Sequence, residues 1–257
     1  MSSTASDQLS LTAIVPVYNE EALVEKSLRR LFVLCESSHL TRIQVVVVDD
    51  GSTDGTGDVL EKCAAELPDA DDRFNWTFLT HRTNRGKGRA IRTALAHADG
   101  DITVVHDADL EYHPSDILRM IPLFVEEGAD AVYGSRFTAY EYRRVLFFRH
   151  DLGNRFLTFL CNCFSNLNLT DMETCYKAVK TPLLKSIPLR SDDFRIEPEL
   201  TIKLAKRNAR IFEIPINYSG RTYPEGKKIA WVDGIKALGA IIKFGFSNDI
   251  SVENNPG

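Results

Sequence analysis

Residues 11–18, L-T-A-I-V-P-V-Y, form an apolar run that stops at Asn19, and Ala22, Leu23, Leu28, Leu31 and Phe32 then recur at the spacing of one helix face. The same order of strand, turn and helix repeats. Ile43 to Val48 is rich in β-branched residues, Asp49-Asp50-Gly51-Ser52 has the composition of a turn and helix cap, and Val59, Leu60, Cys63 and Ala64 mark the next helix face. A third unit runs from a strand over Trp76 to Leu79, through a glycine-rich turn, to a helix around Ala90 to Ala98, and a strand over Asp101 to His106 completes the set. Apolar strands separated by helices imply an α/β fold with a mostly parallel sheet covered on both faces, whose ligands collect at the carboxyl ends of the strands. Beyond about Tyr140 the alternation lapses into a basic aromatic stretch, a helix from Gly153 to Phe164, a turn around Thr170 to Glu173, a helix from Glu197 to Arg207 and a strand from Ile211 to Ile216. No linker, repeat or low-complexity tract divides the chain. One domain is therefore expected over residues 11–246, with a sheet-forming half to 135 and an elaborated half from 136, between tails at 1–10 and 247–257.

Composition narrows the classes. Across 257 residues, 44% hydrophobic content supports a substantial core, and 31 Lys+Arg against 36 Asp+Glu give a net charge of -5, which argues against a general nucleic-acid partner. The five cysteines are odd in number and lack CxxC spacing, so they read as reduced, buried small hydrophobes of an intracellular protein. The first ten residues have neither the basic nor the apolar region of a secretory signal. Asp233, Lys236 and Lys243 interrupt the most apolar stretch, 229–246, short of the roughly 18–20 uncharged residues of a membrane span. A soluble or peripheral protein, cytoplasmic or at the cytoplasmic face of a membrane, is expected. Histidines 39, 81, 97, 106, 113 and 150 show no paired ligand spacing, so zinc is not expected, and His106 reads as structural.

Three polar clusters stand at strand ends. In V-V-H-D-A-D-L-E-Y, Asp107, Asp109 and Glu111 alternate, which on an extended segment crowds them on one side. Either this is an acidic turn or a hard cation, Mg2+ or Mn2+, belongs there, completed by the oxygens of a diphosphate. In V-D-D-G-S-T-D-G-T, Asp49 and Asp50 are placed to accept hydrogen bonds from a base or ribose, or to cap a turn. N-R-G-K-G-R-A, glycine-rich and basic before a helix, suits an anion, although it matches neither GxGxxG nor a P-loop.

Taken in order, I-V-P-V-Y-N-E, V-V-D-D-G-S-T-D-G-T, N-R-G-K-G and D-A-D-L-E resemble family 2 glycosyltransferases of the GT-A fold. G-S-R at Gly134 to Arg136, D-M-E-T-C-Y-K at Asp171 to Lys177, I-E-P-E-L-T at Ile196 to Thr201 and R-T-Y-P-E-G-K-K at Arg221 to Lys228 look like the dolichyl-phosphate mannose and glucose synthases and their bacterial polyprenyl-phosphate relatives, over about residues 11 to 246. The resemblance implies that residues 11–135 bind the nucleotide and 136–246 the acceptor. It implies that Asp107-Ala108-Asp109 is the DxD motif bridging metal to the sugar-nucleotide diphosphate, with Glu111 a further ligand where this branch often has Gln. By the same resemblance Pro16, Tyr18, Glu20 and Asp50 surround the base and ribose, Lys87 faces the donor, and Arg221 and Lys227 close over the diphosphate. Arg136 and Arg149 resemble the basic pair that receives an acceptor phosphate; where some relatives have a serine four places after Arg149, this chain has Gly153.

The implied reaction is an inverting transfer of a hexose, glucose or mannose, from a UDP- or GDP-sugar to a dolichyl or undecaprenyl phosphate. A phosphate monoester is largely anionic at neutral pH and needs no general base. A soluble or glycolipid hydroxyl acceptor does need one, and Asp171, Glu173 and Glu197 are then the candidates, although Asp171 and Glu173 equally suit a turn and cap. A third alternative is a sugar-nucleotide-binding protein without turnover. The stretch Y-E-Y-R-R-V-L-F-F-R-H, residues 140–150, fits a lipid phosphate, with arginines on the head group and Phe147 and Phe148 in the interface, or else a buried loop with paired arginines. Residues 229–246 have the make-up of an amphipathic helix that lies on a membrane surface or covers the core.

Overall fold

In a computed structural model of the chain, residues 8–68, 70–138, 144, 147–221 and 231–247 are described. The elements run β1 (Leu9–Val17), α1 (Val24–Arg30), a 3-10 turn (Leu31–Glu36), β2 (Leu40–Asp49), α2 (Thr56–Glu66), β3 (Phe74–Thr80), α3 (Lys87–His97) and β4 (Ile102–Val105). They continue as α4 (Ser115–Glu126), β5 (Ala131–Ser135), α5 (Phe148–Ser165), β6 (Lys177–Lys180), α6 (Thr181–Lys185), α7 (Ile196–Lys206), β7 (Ile211–Pro215) and α8 (Trp231–Phe246). The strands form one sheet in the order β3-β2-β1-β4-β6-β5-β7. All neighbours are parallel except β6, which pairs antiparallel with both β4 and β5.

Burial on both faces explains the continuous apolar strands. One face packs Leu11, Ala13 and Val15 of β1 against α1, α2 and α4; the other packs Ile14, Val46 and Val48 against α3, α6 and α7. Helix α7 is buried on nearly every side. Leu200 and Leu204 meet the sheet, while Ile202 joins Leu157 and Cys161 of α5 and Ala240, Ile241 and Phe244 of α8 in a third cluster. At the end of α7, Lys206 Nζ donates to the carbonyls of Phe244, Gly245 and Ser247, satisfying the last turn of α8.

The expected strand–helix alternation holds through β4, with shifted ends. The later half departs more: β5 and β6 extend the sheet where no strands were expected, and α5 begins at Phe148 rather than Gly153. Gly153 thus lies inside a helix, with open space where a Cβ would stand. Cys163 on α5 is exposed, so the cysteines are not uniformly buried.

The sheet order creates the crevice. Strand β1 pairs with β2 up to Val17↔Asp49 but with β4 only up to Ile14↔Val105, so its last three residues overhang on the β4 side. Pro16, which donates no backbone hydrogen bond, sits in that overhang where no β4 partner remains. Chain connections leave β1 in opposite directions here, the place where open α/β sheets bind ligands.

Candidate active site at the carboxyl ends of the strands

Beyond Val105 the acidic segment is a turn, not an extended strand. Leu110 adopts φ 63°, a left-handed conformation that a branched residue seldom takes, and the Glu111 N–H donates to Asp109 Oδ1 at 3.1 Å. Ala108 tucks into the core. The three carboxylates still lie close enough to repel one another, but the turn gives them different cations: Lys87 for Asp107, and Arg221 for Asp109 and Glu111.

Asp107 Oδ2 accepts from Lys87 Nζ at 2.9 Å, and Lys87 lies 3.6 Å from Glu197 Oε1. The other oxygen of Glu197 accepts from Lys177, the first residue of β6, whose side chain is only 1% exposed. Asp109 Oδ2 meets Arg221 Nη2 at 3.2 Å. The same guanidinium reaches both oxygens of Glu20 at 3.2 Å, and its Nε donates to Glu111 Oε1 at 3.2 Å, an oxygen that also accepts from the Arg221 backbone N–H at 2.9 Å. Glu111 Oε2 accepts from Tyr218 OH at 2.7 Å, and the Tyr218 ring carries the Arg136 guanidinium 5.2 Å from its centroid. Arg136 closes the arc with a bidentate grip on Asp171, at 2.6 and 2.7 Å, and a backbone bond to the same carboxylate.

Several expected donor-site residues are engaged by the protein itself. Asp50 is buried, accepting from His81 Nδ1 at 2.6 Å and from the backbone N–H groups of Arg85 and Gly86, so its carboxylate holds the 81–86 loop. Asp49 caps its own turn through Ser52. The glycines of N-R-G-K-G are likewise explained by packing rather than by an anion: a Cβ on Gly86 or Gly88 would lie 2.3 Å from Asp192 O or 2.4 Å from Ser191 O, and Asp192 O accepts the Arg89 N–H. The start of α3 is thus covered, and Lys87 is the part of that motif that reaches the crevice. Pro16 and Tyr18 are half-exposed beside it. Lys227 lies outside the described residues.

On the acceptor side, Arg149 is exposed on the first turn of α5. Among the described residues Arg155 is gathered with Arg136: their guanidiniums lie 4.9 and 5.6 Å from the Phe137 ring centroid. Neither Arg155 nor Lys177 was singled out from the sequence, though Lys177 ends the D-M-E-T-C-Y-K motif. Glu173 is partly buried, and its Oε1 has neither solvent contact nor a hydrogen-bond partner among the described residues.

The charges are unbalanced where a hard cation is expected. Burial, then Asp107 and Glu111, push the Asp109 carboxyl up to about 7 despite Arg221. Burial alone would raise Asp107, but Lys87 holds it below the usual carboxylate range. Burial also pushes Glu173 up to about 7; Glu197 and Asp171 add to the shift, and Lys177 and Arg136 oppose it. Asp107 and Asp109 therefore suit a hard cation by donor type and surplus charge. Among the described residues no three His, Cys, Asp or Glu side chains form a cage, so such an ion would draw its remaining oxygens from water or a diphosphate.

His106, directly before this turn, is buried between Ser27 Oγ at 3.1 Å and Tyr176 OH at 2.8 Å, and burial pushes its imidazole down to about 4. The unfolded chain takes up that proton near pH 6.5, so acidification from there toward pH 4 favours unfolding by about 3 kcal/mol in full. Asp109 and Glu173, raised in the fold, act in the opposite sense over the same window. The expected result is therefore a difference: from pH 7 to pH 5, the urea-derived stability of the wild type drops by about 2 kcal/mol relative to His106→Gln. Parallel pH curves for the two proteins would contradict it.

Comparison with known proteins fits this geometry. The glycosyl transferase family 2 profile matches residues 12–187. An uncharacterised protein of Methanocaldococcus jannaschii, MJ1222, is 26% identical over 234 residues, 89% of each chain. The undecaprenyl-phosphate 4-deoxy-4-formamido-L-arabinose transferase of Edwardsiella ictaluri is 27% identical over 217 residues, which cover 84% of this chain and 62% of that transferase. Glucosyl-3-phosphoglycerate synthase from Mycobacterium tuberculosis in complex with UDP superposes with a TM-score of 0.69 at 21% identity, over 92% of this chain and 80% of that one. The same synthase with Mn2+, UDP-glucose and phosphoglyceric acid superposes at 0.68. The mixed sheet with its flanking helices is the GT-A fold. Because the family match spans β1 to α6 with the Asp107–Asp109 turn inside it, the chain belongs to glycosyl transferase family 2.

Proposed function

We propose that this glycosyltransferase moves a hexose, glucose or mannose, from a UDP- or GDP-sugar to a polyprenyl phosphate at a membrane surface. The observation that carries the donor half is the Asp107–Asp109 turn, answered by Lys87 from one half of the chain and Arg221 from the other. Mg2+ or Mn2+, when bound by Asp107 and Asp109, would neutralise charge on the diphosphate. Lys87 and Arg221, with Lys227, would take the diphosphate oxygens as charge develops on the leaving group, and Pro16 and Tyr18 would flank the nucleotide. Glu197 and Lys177 hold Lys87 in place, and Asp50 keeps the loop before α3 in position.

Support for a lipid acceptor comes from where apolar side chains are exposed. Among the described residues, every exposed large hydrophobic lies on α5, on α8, or at Phe147 just before α5. Phe148, Leu152, Phe156 and Phe159 of α5 and Ile235, Ile242 and Phe246 of α8 belong to helices packed on each other, with exposed Arg149, Lys236 and Lys243 among them. No described helix is long and apolar enough to cross a membrane. Such a face suits contact with anionic lipid, apolar groups inward and cations at the head groups. Arg136, with Arg149 or Arg155, would then hold the acceptor phosphate, which attacks without a general base. The relative from Edwardsiella ictaluri is named for an undecaprenyl-phosphate acceptor.

The purified chain should form glycosylated polyprenyl phosphate from a UDP- or GDP-hexose with Mn2+ and anionic vesicles carrying that lipid. Replacing Phe148 and Phe156 by serine should cut vesicle co-sedimentation at least about tenfold. Product formed only with hydroxyl acceptors would replace the lipid-phosphate acceptor with the second reading. That second reading is favoured by Glu173, whose raised carboxyl, with Oε1 unpartnered among the described residues, has the properties of a general base for a hydroxyl.

A further inference from the structure

Arg136 and Arg221 hold their carboxylates in different ways. Arg136 makes a short two-pronged bond to one buried carboxylate. Arg221 spreads over Glu20, Asp109 and Glu111, and each of its side-chain bonds is 3.2 Å long. With all three carboxylates ionised, one guanidinium facing them leaves two negative charges over, which is the charge of one divalent cation. The oxygen of Asp109 that Arg221 touches is also one that a cation would use. An ion coordinated there at about 2.1 Å would stand against the guanidinium that now shares that oxygen.

We infer that Arg221 and the divalent cation compete for Asp109, so that the ion binds well only together with the nucleotide diphosphate, which accepts the displaced guanidinium. This rests on the donor-site roles proposed above and adds an order to them. In the free protein Arg221 stands in for the ion. With the diphosphate and the ion both bound, Asp109 would serve the ion and Arg221 would turn to the phosphate oxygens. Glu111 then has a task other than metal ligation: its two oxygens hold Tyr218 OH and the Arg221 backbone N–H, anchoring the chain at Arg221 while the guanidinium changes partners. Glu111 is a positioning residue in this exchange.

The competition predicts effects of opposite sign on two ligands. Mn2+ binding is read without turnover, from the free-ion electron paramagnetic resonance signal, and UDP binding by calorimetry. Relative to wild type, Arg221→Met should bind Mn2+ alone about tenfold more tightly, within the usual range for coupled sites, and should bind UDP in saturating Mn2+ more weakly. The factor by which UDP tightens Mn2+ should shrink correspondingly, since linkage is reciprocal. Arg221→Met that melts like wild type yet binds Mn2+ alone no more tightly overturns the inference.

A variant that fails to fold leaves the wild-type measurement decisive. The side-chain Nε–H resonance of Arg221, assigned by its absence from Arg221→Lys, should shift when Mg2+ and UDP are added together, and its staying in place also overturns the inference. Wild type that binds Mn2+ but no UDP would refute the donor-site roles instead, and the Mn2+-alone comparison would still decide whether Arg221 competes.

Discussion

Asp109→Asn should lower sugar transfer by about two to three orders of magnitude while leaving the protein as stable as wild type or more so. The two halves of that expectation have one cause. The Asp109 carboxyl is raised to about 7 by burial and by Asp107 and Glu111, which means that the ionised form opposes folding above that pH. Asparagine keeps the shape and removes the charge, so the repulsion within the turn goes, and with it the surplus that suits a cation and its diphosphate. Paired measurements check this: initial rates with a UDP- or GDP-hexose, and melting of the apo protein at pH 8, where the carboxylate is mostly ionised. A large loss of melting temperature would assign Asp109 to the architecture, and undiminished transfer would remove it from the chemistry.

The second large effect falls on stability. Asp171 is fully buried and Arg136 nearly so, and Asp171 accepts three hydrogen bonds from Arg136. Asp171→Asn leaves a buried guanidinium without its counter-charge, which typically costs about 3–5 kcal/mol. Urea denaturation should register that loss, and the double replacement Arg136→Met with Asp171→Leu should recover most of it, because a well-packed apolar pair often matches a buried ion pair. The same experiment separates two roles for the acidic D-M-E turn. Asp171 would lose activity and stability together, whereas Glu173→Gln, which removes a raised carboxyl, should retain stability whatever it does to transfer.

These contrasts mark which parts of the molecule were legible in its sequence. Strands β1, β2 and β4 are buried on both faces by local helices, so their apolar runs announced them, while β3 at the sheet edge is only partly buried. Strand β6 reads K-A-V-K, and nothing nearby in the chain says that Lys177 is buried; its partner Glu197 arrives twenty residues later on α7. Asp107, Asp109 and Glu111 do follow a strand end, but the expectation from their spacing assumed an extended backbone, and a leucine gave no hint of the left-handed turn at position 110. The glycines at 86 and 88 carried an anion-loop signature, while their actual neighbours, Ser191 and Asp192, lie about a hundred residues away in sequence and can be known only from the fold.

Helix α7 ties the crevice to α8. Glu197 at its first turn helps to hold Lys87 in the crevice, and Lys206 at its last turn clamps the end of α8. Eleven helical residues span about 16 Å, and α8 packs along that length: Lys236 near its start lies 4.0 Å from Asp193, just before α7, Ile202 packs on its middle, and its end meets Lys206. If α8 rests on a surface, that surface runs beside the helix that supports Lys87, from the Lys206 clamp back toward Asp193. The support of Lys87 and the seat of α8 are then one piece of backbone, and shortening α7 by one turn would put Glu197 and the Lys206 clamp out of step, disturbing the crevice and the α8 face together.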